Sequence, residues 1–295
     1  MDEESKAALG MYGGLTGQGG ATTKHPRKEN YWDMWKGTFC PQFTMLSFTF
    51  VIWVVNTLVY MATLFATIRP SRELNYRVFL GPELSTLHAW GALDAWEIRY
   101  HYEIWRLFTA LLLSTGFSSY CVSSGALMII GFMVENPKMS PARMALFYFA
   151  SGILGNQFSI CVQNEPSVGC MTSVMALVGG LLSSVIVNWK ALAGAGMLRI
   201  CLIFMMVMLF CIILLLSLNM DSGVEWVGIS LTSEAGGFMA GLGLGMMLMP
   251  HALQNQTAYV RLIRKIGMAV TFVLVAVLVP VFWCAVEPER TIWAY

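Results

Sequence analysis

Glu234 is the residue of this 295-residue chain that first demands a chemical account. It lies in an apolar run from Leu231 to Met249, and a carboxylate beside a membrane segment is costly enough that it faces water, a cavity or a partner. The expected placement is the aqueous mouth of a helix, whose first turn favours negative charge and where Thr232 or Ser233 can cap. Contact with a client or a partner subunit is the functional alternative. The four histidines, His25, His88, His101 and His251, fall in the N-terminal stretch, in one long connection and at the end of an apolar run. The seven cysteines, Cys40, Cys121, Cys161, Cys170, Cys201, Cys211 and Cys284, lie mostly inside apolar runs with no CxxC pair and no His/Cys grouping. We expect them to be small packing residues and infer no disulfide framework, metal or cofactor. Gly237, Gly241 and Gly245 recur at i, i+4 and i+8, with Gly236 and Gly243 beside them, and such a small face lets another helix approach closely. The 21 methionines read as lipid-facing or core apolar residues rather than an adaptable binding surface.

These residues need elements to hold them, and composition says which kind. The chain is 57% hydrophobic and 12% charged, with a mean hydropathy of +0.63, whereas soluble domains carry about a quarter charged residues. A water-soluble globule is excluded. A formal charge of +1 gives no basic excess and so no nucleic-acid partner. Seven apolar runs approach the length of about 20 residues needed to cross a bilayer: Phe43 to Ile68, Ser118 to Val134, Met144 to Val162, Val168 to Val187, Ile200 to Leu218, Leu231 to Met249 and Met268 to Val286. The second is the shortest. Only helices satisfy their own backbone in lipid, so the expectation is an all-α polytopic membrane protein.

Twelve of the eighteen Lys and Arg fall on the N-terminal side: Lys6, Lys24, Arg27, Lys28, Lys36, Lys138, Arg143, Lys190, Arg199, Arg261, Arg264 and Lys265. The positive-inside rule then places the N-terminus in the cytosol, or in the matrix of a mitochondrial inner membrane. ER, plasma membrane and mitochondrial inner membrane remain open. The acidic start, Asp2, Glu3 and Glu4, and the Gly/Thr-rich stretch from Gly13 to Thr23 fit neither a secretory signal nor a presequence. Residues 1–42 are expected to form a flexible tail, 43–250 a helical core, 251–286 a connection and an added helix, and 287–295 a second tail. Residues 69–117 are the anomaly, because helix connections in bundles usually take 2 to 8 residues. With Trp90, Trp96, Tyr100, Tyr102, Trp105 and Phe108, this stretch is too apolar for a solvated linker and is expected to lie in the membrane interface.

Three segments in order carry a resemblance: Trp105-Arg106 in EIWRLFTALLLSTG, SVGCMTSVMALVGGLL from Ser167 to Leu182, and EAGGFMAGLGLG from Glu234 to Gly245. GFMVE, Gly131 to Glu135, and SGILGN, Ser151 to Asn156, accompany them. Together they resemble the rhomboid family of intramembrane serine proteases. That family has a six-helix core with WR in its first loop, Gly-x-x-x-Glu closing its second helix, G-x-S-G opening its fourth and H-x-x-G-x-x-x-G in its sixth. The resemblance implies a six-helix rhomboid-like bundle over roughly residues 43–250 plus a seventh C-terminal helix. It makes Trp105, Arg106, Glu135, Gly169, Gly237 and Gly241 motif positions, and pairs the glycine stripe with Ala176 and Gly180 of the fourth span.

The departures from the family are the more informative part. Laying G-x-S-G on Gly169 to Thr172 puts Met171 at the nucleophile, and laying the sixth-helix motif on Gly237 and Gly241 puts Glu234 at the general base. Counting back from Glu135 puts Ser123 and Ser119 at the positions of the oxyanion-binding Asn and a nearby His. A thioether has no proton to lose and forms no acyl intermediate. Thr172 and Ser173 offer hydroxyls next door, but successive helical residues point about 100° apart, and Glu234 would need a raised pKa to serve as base. The resemblance therefore implies an inactive member that binds transmembrane segments of clients or partners in the bilayer, as an adaptor, chaperone or translocase-type protein or a subunit of a membrane complex. An active intramembrane protease and a purely structural subunit of a large assembly stand as alternatives. Glu234, Arg199 and Asn156 are too few and scattered to outline a transporter path.

Overall fold

The computed structural model describes residues 47–68, 80–135, 139–162, 166–189, 231–250 and 258–288, with isolated positions between 200 and 211. Their long helices are α1 (Phe48–Ile68), α5 (Phe117–Val134), α6 (Pro141–Val162), α7 (Cys170–Val187), α8 (Leu231–Leu248) and α9 (Ala258–Cys284). Between α1 and α5 lie three short helices, α2 (Leu84–Ala89), α3 (Ala95–Tyr100) and α4 (Arg106–Thr109), the last running into a 3-10 turn at Ala110–Leu112. The chain is a helical polytopic membrane protein: among the described residues, α1, α5, α6, α7 and α9 are long and apolar enough to cross a bilayer. Glycines and Glu234 dilute the apolarity of α8, which protein rather than lipid covers along one face. The N-terminal tail, most of the Ile200 to Leu218 run and residues 289–295 lie outside the described residues.

Depth in the bundle follows side-chain size and polarity. Protein covers 83% of the α7 span but only 17% of α9, so α7 is the central post and α9 presents most of its surface outward. Met144, Phe147, Tyr148, Val174, Met175, Leu177, Val178 and Leu181 form the heart of the main apolar core between α6 and α7. Glycine sets how closely α8 joins them. A Cβ on Gly237 would collide with Thr172 O, one on Gly241 would stand 2.6 Å from Ala176 Cα, and one on Gly245 would stand 2.9 Å from Ser183 Cβ. Backbone-to-backbone approach of this kind replaces the hydrophobic drive that lipid removes.

Helix ends are fixed by charge and by hydrogen bonds. Glu135, just past α5, accepts from Ser47 Oγ at 2.9 Å, Phe48 N at 2.8 Å and Thr49 N at 3.0 Å, so a carboxylate satisfies the open amides at the positive end of α1. The last helix departs from expectation. It starts at Ala258 rather than Met268, because the basic stretch Arg261, Arg264 and Lys265 continues the helix as a polar stem. It is also knitted into the rest: a Cβ on Gly267 would stand 2.7 Å from Met246 Cβ and 2.8 Å from Gly243 O. At its far end Arg99 Nη1 donates to Phe282 O at 2.6 Å and sits over Trp283, whose ring also stacks on Tyr102.

Candidate functional site at the helix heads

Residues 80–117 of the long connection form a cap over the start of α7. Arg106 is buried, and its Nη1 donates to His88 O at 2.9 Å and Ala92 O at 3.1 Å while Nε pairs with Glu103. Trp105 lies under Arg106 and against Gly91, whose φ of +94° is a conformation that suits glycine and whose added Cβ would collide with the Trp105 ring. Leu93 and Ser167 pair as an antiparallel bridge through 2.9 and 3.1 Å bonds. Gly169 N donates to Ala110 O at 2.9 Å, and any Cβ at Gly169 would stand 2.6 Å from Asn156 Oδ1. Asn156 in turn donates to Leu107 O at 3.0 Å. The WR loop, α6 and the head of α7 are thus tied into one unit by backbone bonds that need a glycine and an asparagine at those places.

Met171 occupies the first turn of α7 and is buried. Glu234 occupies the first turn of α8 and is 1% exposed. It does not stand at an aqueous mouth: neighbouring helices cover it, a tertiary effect that the capping pattern at Thr232 and Ser233 does not reveal. The two helix heads meet through Thr172 Oγ1, which donates to Ser233 Oγ at 2.9 Å. Ser119 and Ser123 lie one turn apart on α5 and are both buried; Ser123 Oγ donates to Tyr120 O at 3.1 Å. Cys170, which the sequence gave no reason to single out, joins this group. Its Sγ lies 3.4 Å from Ser114 Oγ, beside Ser123 and within electrostatic reach of Glu234.

Hydroxyl, thiol and carboxylate side chains thus converge on the heads of α7 and α8, and among the described residues no imidazole joins them. Ser173 does not belong to this cluster. It faces α6, where a Cβ on Gly152 would collide with its Oγ, and it stands beside Tyr148. Thr172 points the other way, its methyl filling the space that Gly155 and Gly237 leave. The histidines among the described residues, His88 and His101, are on the outer loop. There His88 Nε2 faces Asp94 Oδ2 at 3.8 Å and Glu97 Oε1 at 3.7 Å, and His101 pairs with Glu97. Burial, aided by the Arg106 charge, pushes His88 below the ordinary imidazole range, outweighing the pull of Asp94, Glu97 and Glu103.

The profile of the rhomboid domain matches residues 101–251, about half of the chain. Inactive RHOMBOID-like protein 8 of Arabidopsis thaliana is 33% identical over 120 residues, 40% of this chain and 34% of that protein. RHOMBOID-like protein 6, mitochondrial, from the same plant is 30% identical over 61% of this chain and 54% of its own length. Rhomboid-like protease 2 of Toxoplasma gondii is 26% identical over 82% of this chain and 80% of its own. The chain thus spans between a third and about half of the length of the first two relatives. A helical membrane bundle matched by the rhomboid profile over about half of the chain belongs to the rhomboid family.

Proposed function

We propose that this protein is a rhomboid without protease activity, whose bundle binds transmembrane segments of client or partner proteins in the bilayer. One observation carries the reading. Where the family pattern calls for a nucleophile and a base at the heads of α7 and α8, the chain has Met171 and Glu234, while the close helix contacts around Gly237 and Gly241 are intact. Met171 has no proton to transfer and no oxygen to acylate. Ser123 and Ser119 stand at the accessory positions, short of the reach of an amide or an imidazole. Recognition of a helix needs none of these groups, since it rests on packing and interhelical hydrogen bonds.

The core taken to do this runs over residues 43–250, with 251–286 as an added helix and residues 69–117 at the interface. The N-terminus faces the cytosol or a matrix space. One relative in the family is named inactive and another a protease, so both activities exist among proteins like this one and the reading rests on the residues above.

The test offers the full-length protein, reconstituted in lipid, a generic rhomboid substrate helix carrying a photocrosslinker. Cleavage and crosslinking are measured together, beside a Met171→Ser/Glu234→His variant. Crosslinking without cleavage by the native protein is expected, and cleavage by the double variant would fix the motif register. Cleavage by the native protein that disappears in Thr172→Ala would overturn the reading in favour of an unusual hydroxyl protease.

A further inference from the structure

We propose that the stem of α9 is a binding site for an anionic phospholipid, whose phosphate is gripped by Arg261 and Lys265 in the leaflet where that helix starts. The two cations lie four residues apart on α9, on one side of the helix and one turn from each other. Helical spacing continues that side through Met268, Phe272, Val275 and Val279. All six side chains are exposed. A charged top above an apolar length is the complement of a phospholipid, head over tails. A soluble anion would match only the first two positions of the stripe.

Depth agrees with this pattern. Trp283 marks the far end of α9, at the level where tryptophan anchors a membrane helix. About 20 helical residues cross the hydrocarbon, and counted back from Trp283 they end at Ile263. Arg261 and Lys265 then stand at headgroup level, with Lys265 able to reach up along its apolar stem. The opposite side of the stem is fixed to the bundle. Tyr259 Oη donates to Ile186 O at 2.9 Å, and a Cβ on Gly267 would stand 2.7 Å from Met246 Cβ. The cations are therefore presented between two anchored positions, and a lipid need not order the helix in order to bind it.

The charge is available. Neither the Arg261 nor the Lys265 side chain has an ion pair or a hydrogen bond in the structure. Arg264, half-buried between them, holds an interaction of its own and is not counted in the grip. The helices α6, α7 and α9 contain no Asp or Glu, and α8 carries Glu234 at its opposite end. Glu135, at the same end of the bundle as the stem, is bound to the start of α1. The connecting stretches 136–138, 190–199 and 251–257 carry no acid either, and residues 1–46 have as many Lys and Arg as Asp and Glu. The first turn of α9 also lacks an acid and contains Arg261, a cation set against the helix dipole. A phosphate at that end relieves the opposition. Basic residues at a membrane surface draw anionic lipid in this way.

The experiment titrates full-length protein in neutral detergent with phosphatidylglycerol or phosphatidylcholine and counts bound lipid by native mass spectrometry. Phosphatidylglycerol is expected to bind at least about tenfold more tightly, a preference that shrinks as salt is raised. Arg261→Gln/Lys265→Gln should bring the preference down to about threefold or less. Arg143→Gln, which removes an exposed cation at the same end of the bundle but off the stripe, should leave it unchanged. A large excess of inorganic phosphate should not displace the lipid, because the apolar track contributes to its hold. If the double variant does not fold, Lys265→Gln alone carries the test, with a smaller loss in the same direction. Equal affinity for the two lipids, an undiminished preference in the folded double variant, or an equal loss in Arg143→Gln would overturn the proposal. So would displacement by inorganic phosphate, which would make the stem a site for free anions.

Discussion

Two polar clusters of this molecule, one in the outer loop and one at the helix heads beside it, differ in almost every physical respect. The heads of α7 and α8 bring Cys170, Met171, Thr172, Ser233 and Glu234 together under full cover, pressed in by glycines that admit no Cβ. The α2 and α3 cluster brings His88, Asp94 and Glu97 together at a partly open surface, with Asp94 held as the N-cap of α3 and Glu97 paired to His101. The first is closely packed and, among the described residues, holds no imidazole. The second has titratable groups in quantity and lies outside the helix bundle. Packing and charge are largely separated: what the bundle interior preserves is a way for helices to approach, and the described imidazoles, with Asp94, Glu97 and Glu103 beside them, are on the cap.

If that contrast is right, the two regions should fail differently. The largest effect is expected at Gly241. Gly241→Leu would drive a side chain into Ala176, where even a Cβ stands 2.6 Å from a backbone carbon. The neighbour is backbone and does not yield, so a loss of about 3 kcal/mol or more is expected. Thermal unfolding in detergent, with yield from membranes, reads it; a variant as stable as the native protein would mean that the helix heads are not close-packed. Next comes Glu135→Ala, which strips three hydrogen bonds from the start of α1 and leaves two amides and a hydroxyl without their charged acceptor. About 2 kcal/mol is expected by the same measurement, with Glu135→Gln recovering part of it.

The limits of reading the sequence follow from where each constraint originates. Spans that end in a sharp change of polarity are legible: the apolar run from Ser118 to Val134 becomes a helix beginning one residue earlier. The start of α9 was not, because Arg261, Arg264 and Lys265 mark the end of the apolar run and not the end of the helical backbone. Glu234 was misplaced for a different reason. A helix-start pattern announces a cap but is silent about which neighbours roof it over, and the cover here comes from the rest of the bundle. Arg106 was more tractable, since a buried guanidinium needs acceptors and the loop carbonyls of His88 and Ala92 supply them. Cys170 and the His88, Asp94 and Glu97 group gave no spacing signal, because each depends on contacts between separate helices.

The smallest expected effects separate two adjacent hydroxyls. Thr172→Ala removes the donor of a buried hydrogen bond to Ser233 and the methyl that fills the gap beside Gly155 and Gly237. A loss of about 1 to 2 kcal/mol follows. Ser173→Ala should be near neutral, within about 0.5 kcal/mol, or slightly stabilising. Ser173 Oγ is fully buried and makes no hydrogen bond of ordinary geometry among the described residues, and deleting an unsatisfied buried hydroxyl relieves its desolvation penalty. Melting of the two variants side by side decides it. If Ser173→Ala instead destabilises as much as Thr172→Ala, then Ser173 is held by a bond to Tyr148 or to trapped water. The polar character of the interior would then extend past the helix heads toward α6, and the division between a closely packed bundle and a charged cap would have to be redrawn around that second interior site.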